Sequence, residues 1–320
     1  MGMRKRPIVV VGSINTDLVV RVERVPVAGE TIPGTDIETH PGGKGANQAA
    51  AVARLGYPVH MIGRVGSDAY GAQLRGHLHS AGVDIASIAV SEGSSGVAII
   101  AVTQTGENSI IVTPGANALL SPEDLDANLE LLHSAAIVLT QLEVPLATVR
   151  HLAQICDRES VPLVLDPAPV CPLPVELLRA TTWITPNQVE AQQITNSNVL
   201  AASEKELWQV AESIMKLGTR NVLLKMGERG AYLAADDGLR TRIPAYPVTA
   251  ADTTAAGDAF NGAFAVALAR GVCAQQAAEF ATAAAAISVT RRGALPSMPT
   301  QAEIENFVAE QRREARVLEI

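Results

Sequence analysis

The chain has 320 residues, of which 48% are hydrophobic and only 3% aromatic, so Ala, Val, Leu and Ile must fill its interior. A formal charge of −8 argues against a surface that gathers nucleic acid, because phosphate backbones are held by clustered Lys and Arg. The basic run Arg4-Lys5-Arg6 precedes an apolar stretch, Ile8 to Val11, too short for a leader core or a membrane span; Gly2 lacks the Ser or Thr that myristoylation wants at position 6. One cytoplasmic domain over 1–320 is expected, with no membrane or nucleic-acid partner.

In chain order, Ile8–Gly12 is the first strand, apolar enough to be covered on both faces. Ser13, Asn15 and Asp17 follow it, at the carboxyl end of the sheet where α/β folds bind ligands. An amide beside a carboxylate suits a polyol, and Asp17 taken alone reads equally well as a solvated turn residue. Leu18–Val25 and Ile32–Thr39 read as short strands. The run from His40 through Gly42, Gly43, Lys44, Asn47 and Gln48 to Ala49 is a glycine-rich loop opening a helix that ends near Leu55-Gly56. It is neither a Walker loop nor a dinucleotide fingerprint, and Gly12 is the only glycine after the first strand, which removes the main support for a nicotinamide dehydrogenase.

Val59–Gly63 continues the core strands. Gly96–Thr103 and Ser109–Thr113 read as a hairpin turning at Gly106-Glu107-Asn108. With the two earlier short strands they make a small β-sheet lid within about 18–40 and 96–113, whose apolar face calls for a ligand or a partner. Ser121-Pro122-Glu123-Asp124 marks a helix start. Ala136–Leu142, Pro162–Asp166, Trp183–Thr185 and Asn221–Met226 complete a parallel sheet alternating with helix-period segments. Glu143 emerges at the end of the first of these, and Pro186-Asn187-Gln188-Val189-Glu190 follows the third. Asn187 and Glu190, three apart, can share a hydrated Mg²⁺; they can also form a capping box, and the two readings are compatible. Ser203 to Glu206 is a capping box ahead of Leu207–Leu217, stopped at Gly218. Lys225-Met226-Gly227-Glu228-Arg229-Gly230 is a turn able to lie against a flat base, while Met215 and Met226 read as core fillers. Cys156, Cys171 and Cys273 show neither metal nor disulfide spacing and read as reduced packing residues.

The most informative stretch runs from Asp252 through Thr254, Ala255, Ala256, Gly257 and Asp258 to Gly262 and leads into a helix. Small residues let the amides of Ala255 to Asp258 approach an anion, with the positive helix end behind them. Asp258 then stands beside a bound phosphoryl group, where a carboxylate can take the proton of an attacking hydroxyl. The same helix start is expected to keep Asp258 ionised and therefore a weak base.

Together, Gly12 to Asp17, Gly42 to Ala49, Gln141 to Glu143, Pro186 to Glu190 and Asp252 to Asp258 resemble the ribokinase-like carbohydrate kinase family over nearly the whole chain. The resemblance implies an α/β fold, a Rossmann-like three-layer α/β/α body with a β-sheet lid that pairs two subunits into a homodimer. It implies ATP-dependent phosphorylation of a pentose, ribose first, with deoxyribose, a nucleoside or a hexose such as fructose as alternatives and a non-catalytic sugar-binding protein as the reading from another class. By the same resemblance, Ser13, Asn15, Asp17, Gly42, Gly43, Lys44, Asn47 and Glu143 bind the sugar, Asp258 is the base, and Ala255, Ala256 and Gly257 form an anion hole. Asn187, Lys225, Gly227, Gly230, Gly257 and Thr282 face ATP, and Asn187 and Glu190 handle Mg²⁺. A monovalent cation, K⁺, falls to Asp252, Thr254, Ser288, Arg291, Gly293 and Ser297. Asp166 stands where some relatives carry Asn, and Thr282 replaces a His.

Overall fold

Runs of Val, Ile and Leu with no polar face can be stable only as strands covered on both sides, and the chain stacks them edge to edge. The computed structural model describes residues 5–103, 105 and 108–318, with side chains as far as Arg313. Gly2, Arg4 and the expected turn residues Gly106 and Glu107 lie outside the described residues. The strands are β1 Ile8–Val11, β2 Asn15–Val22, β3 Gly34–Gly42, β4 Val59–Gly66, β5 Ile88–Ser91, β6 Gly96–Thr103 and β7 Asn108–Thr113. They continue with β8 Ile137–Thr140, β9 Leu163–Leu165, β10 Trp183–Ile184, β11 Asn221–Lys225, β12 Ala231–Ala234 and β13 Arg240–Ile243. The helices are α1 Lys44–Arg54, α2 Ala69–Ser80, α3 Pro122–Asp126, α4 Leu129–Ser134, α5 Leu146–Arg158 and α6 Val175–Ala180. After them come α7 Gln188–Thr195, α8 Glu204–Lys216, α9 Ala256–Ala269, α10 Ala274–Val289 and α11 Gln301–Leu318.

Among the described residues, nine strands form the body sheet in the order β13-β12-β11-β10-β9-β8-β1-β4-β5. From β11 to β5 all pairs are parallel, β1 lying between β4 and β8 with Ile8 opposite Val59 and Ile137. The expected all-parallel sheet needs correcting at one edge, where β12 and β13 return antiparallel through tight turns and cover the side of β11. Strand alternation divides the core cleanly. Ile8 and Val10 pack with Leu74, Phe264, Ala277 and Ile304 on one face, while Val9 and Val11 pack with Leu125, Val149, Leu177 and Leu207 on the other. The result is the three-layer α/β/α arrangement. Met226 and Cys156 are wholly inside it, and burial pushes the Cys156 thiol up to about 12, which makes it inert. Among the described residues no helix is long and apolar enough to cross a membrane.

The lid is a separate four-stranded sheet, β3-β2-β6-β7, in which β2 pairs antiparallel with β3 but parallel with β6. Its register puts Asp17, His40, Ala98 and Val112 in one row and Leu18, Thr39, Ile99 and Ile111 in the next, on opposite faces. Asn15 and Asp17 therefore sit on the lid's first strand rather than in a loop of the body, a correction to the sequence reading. His40 to Gly42, expected in the glycine-rich loop, likewise complete β3.

Candidate active site

β1, β8, β9, β10 and β11 point their carboxyl ends the same way, so the residues that follow them converge. The helix that faces this edge, α9, begins abruptly. Its N-cap, Ala255, is in the left-handed region (φ 58°, ψ 14°) and offers no side-chain acceptor. The Ala256 N–H returns to the Thr253 carbonyl at 3.3 Å, but those of Gly257 and Asp258 find no acceptor among the described residues. Free donors and the positive end of the helix dipole thus face a cavity of about 900 Å³, also lined by Asn187, Lys225, Gly227, Gly230 and Thr282. That volume suits a nucleotide-sized ligand.

Asp258 is buried in the first turn of α9. Asn47 Nδ2 donates to its Oδ2 at 2.9 Å and Gln48 Nε2 to its Oδ1 at 3.1 Å. Both donors come from α1, which approaches α9 closely because Gly262 has no side chain: a Cβ there would lie 2.6 Å from that of Ala51. Burial pushes the Asp258 carboxyl up to about 6, the positive charge of Lys44 and the two amides pulling against it and Asp166 adding to it. The expectation of a weak base is not met: desolvation sets the direction of the shift.

A second group surrounds Glu143. Ser13 Oγ donates to Glu143 Oε2 at 2.5 Å, and the backbone N–H of Lys44 reaches the same oxygen at 3.3 Å. Gly43 makes this possible; it has φ 89°, and a Cβ on it would lie 2.7 Å from the Asn15 amide nitrogen. Asn15 is opposite Gly42 in the lid, and its Oδ1 accepts from Asn117 Nδ2 at 2.7 Å. Asn117 Oδ1 in turn accepts from the Ile14 N–H at 2.9 Å, so this amide fastens the root of the lid to the body. Burial pushes the Asp17 carboxyl up to about 7, with Glu143 and Asp258 adding to it and His40 and Lys44 opposing. Burial disfavours the Lys44 charge, but Asp258, Asp166, Glu143 and Glu190 together hold the ammonium above its ordinary range.

Asn187 and Glu190 do form the capping box. Asn187 Oδ1 accepts from the Glu190 N–H at 2.9 Å, while Glu190 Oε2 accepts from the Asn187 N–H and Oε1 from Asn187 Nδ2, both at 2.7 Å. Burial holds the Glu190 carboxyl above the ordinary range, with Lys225 opposing. Only second lone pairs remain on these oxygens, which fits a cation that keeps its waters, as Mg²⁺ does. Among the described residues no three His, Cys, Asp or Glu side chains cluster as a metal-ligand set. Lys225 Nζ pairs with Asp166 Oδ1 at 3.0 Å, and a Cβ on Gly257 would lie 3.5 Å from that ammonium, so Lys225 stands at the α9 start. The Thr282 hydroxyl donates to the Ala278 carbonyl at 2.8 Å, so toward the cavity it can serve only as an acceptor.

The positions expected for a monovalent cation are partly gathered. Asp252 accepts from the N–H groups of Thr254 and Gly293, both at 2.9 Å, tying the loop before α9 to the one after α10. Arg291 turns instead to Glu303 at 2.6 Å, and the Ser288 and Ser297 hydroxyls donate to the carbonyls of Ala285 and Ala294. Four further residues belong to the constellation and had no assigned role: Gln48, Gln141, Asp166 and Asn117. The first three lie inside or beside segments already singled out; nothing about Asn117 in the sequence distinguishes it from a turn residue.

The model of the pfkB family of carbohydrate kinases matches residues 5–301. The chain belongs to that family. It is 40% identical over 309 residues to the ribokinase of Bacillus subtilis strain 168, covering 95% of this chain and all of the relative. A deoxyribokinase of Salmonella typhi is 34% identical, covering 94% of this chain and 98% of the relative. The solved structure of Arabidopsis thaliana ribokinase complexed with ribose and ATP superposes with a TM-score of 0.88 at 35% identity, covering 95% of this chain and 99% of that one. This pfkB-family chain is accordingly an enzyme of carbohydrate phosphorylation, and its body and lid are those of the ribokinase-like fold.

Proposed function

We propose that the protein phosphorylates D-ribose to D-ribose 5-phosphate with ATP, working as one domain under its lid. The observation that carries this reading is the open start of α9, where unpaired amides adjoin a buried carboxylate. A sugar hydroxyl gives its proton to Asp258; its oxygen bonds to the γ-phosphorus as the bond to the β-phosphate oxygen breaks and ADP departs. Asn15, Asp17, Gly42, Gly43, Lys44, Asn47 and Glu143, with Ser13 behind Glu143, hold the sugar. Within the segment Ala255 to Asp258, the open amides of Gly257 and Asp258 receive the charge that grows on the phosphoryl oxygens, and Lys225 adds its ammonium there. Lys225, Gly227, Gly230 and Thr282 face the nucleotide. Mg²⁺, held through water near Asn187 and Glu190, would neutralise phosphate charge.

Two finer readings follow. K⁺, if held by the loops that Asp252 ties together, would steady the start of α9, so activity should rise with K⁺ over Na⁺; equal rates in both salts would remove this part. The lid row Leu18, Ile99 and Ile111, with Ile37 beside it, faces away from Asp17, and Ile37 and Ile111 are 64% and 65% exposed. A second copy covering it would make a homodimer, and the Ile111→Lys variant should then sediment as a monomer where the wild type sediments as a dimer. Substrate is settled by ADP release with ATP and Mg²⁺ across ribose, deoxyribose, fructose and adenosine. Ribose should lead. Deoxyribose is the second reading because of the Salmonella relative, and a rate for it above that for ribose would replace the first.

A further inference from the structure

Gln48 lies between two carboxylates. One hydrogen of its Nε2 reaches Asp166 Oδ2 at 3.0 Å and the other reaches Asp258 Oδ1 at 3.1 Å. Turned the other way, the amide would aim its oxygen at two acids, so its direction is fixed by charge. Its Oε1 accepts from Gln141 Nε2 at 2.7 Å, which fixes the direction of the second amide as well. The consequence appears at the far end: Gln141 Oε1 is buried with no donor among the described residues. It packs so close over Gly12 that a Cβ there would collide with it. Swinging Gln141 to satisfy that oxygen would set two amide oxygens face to face, so the unmet acceptor marks a chain of donors with one permitted polarity.

We propose that Gln141 and Gln48 are positioning residues, a one-way amide chain that fixes the rotamer of Asp258 and links its charge to that of Asp166. The inference rests on the reading of Asp258 as the base. Other groups face this carboxylate too. Lys44 and Asn47 come from α1, Asp17 from the lid, and Lys225 from β11 beside Gly257, with Glu143 and Glu190 acting through Lys44. None of them joins the two acids through one side chain. A donor shared by two carboxylates favours their ionised forms, so its loss must make Asp258 harder to ionise.

The test is the pH profile of kcat and kcat/KM from about pH 5 to 9 for Gln48→Met, Gln141→Leu, Asp166→Asn and Asp258→Asn beside the wild type, with ATP affinity measured separately. Gln48→Met should move the acid limb to higher pH, losing roughly tenfold more activity at pH 6 than at pH 8 while ATP affinity holds. Gln141→Leu, which frees Gln48 to turn, should shift the limb the same way by less, and it carries the prediction if Gln48→Met does not fold. Asp166→Asn should shift it in the opposite direction by removing a neighbouring negative charge. A uniform drop at every pH with the limb unmoved, the signature of a merely structural role, would overturn the proposal, as would the lack of an acid limb in wild type and variants alike. An active Asp258→Asn would sink the base reading and this inference with it. If Asp258→Asn is inactive and Gln48→Met titrates as wild type, the inference alone fails.

Discussion

Helices α7 and α9 both carry a carboxylate at the third helical position, and the two starts behave oppositely. In α7 the N-cap is Asn187 in an extended conformation (φ −81°, ψ −177°), so Glu190 folds back and the first turn satisfies itself. In α9 the N-cap is Ala255, left-handed and without an acceptor, so the amides stay open and Asp258 turns to donors on another helix. One residue at the cap separates an acidic side chain that serves its own helix from one that turns to donors elsewhere.

The largest effect should come from exchanging the acids for amides. Asp258→Asn is expected to lower kcat by roughly 10²–10⁴ with ATP binding kept, whereas Glu190→Gln should cost only about tenfold and raise the Mg²⁺ requirement. Equal losses in steady-state kinetics would erase the distinction between the two starts. The next effect is in pH. As the proposed base, Asp258 must be ionised to accept a proton, and burial pushes its carboxyl up to about 6, so kcat/KM should fall about tenfold for each pH unit below that value. A flat profile would move the base elsewhere.

Stability gives the reverse dependence. Asp17 and Asp258 have ordinary values of 3.8 raised to about 7 and about 6, so the folded protein binds their protons more tightly than the unfolded chain does. Their neutral forms favour folding at low pH, and that contribution is lost as pH rises from about 4 through 7. Asp258→Asn should therefore be more stable than wild type at pH 8, on the order of 2 kcal/mol, with little difference at pH 4, as urea unfolding at both pH values would register. The smallest effects lie at the caps: Asn187→Ala should cost about 1 kcal/mol, and Ala255→Gly should add about 1 kcal/mol by relieving the left-handed residue. Thermal midpoints that move the other way would mean the caps are not what separates the two starts.

Much of this was legible beforehand. The body strands β1, β4, β8, β9, β10 and β11, the four lid strands to within about three residues and the helix starts at Asn187 and Ser203 follow from apolar runs and capping chemistry, which act locally. β5 and β13 went unseen because an edge strand half-open to solvent lacks the continuous apolar run that marks the interior, and β12, though buried throughout, is only four residues long. Asn15 and Asp17 were placed in the wrong element because the parallel pairing of β2 with β6 joins residues some eighty positions apart, which no local pattern announces. Asn117 was missed for the same reason.

The order of residues by itself determined that small side chains open α9 at Gly257-Asp258 and that the polar segments sit after strands of one sheet, since spacing and propensity act over a few residues. Only the tertiary structure decided how acidic Asp258 is. Its proton is governed by burial, by Lys44 and Asp166, and by amides about two hundred positions away, and such distances come into being only when α1 crosses α9.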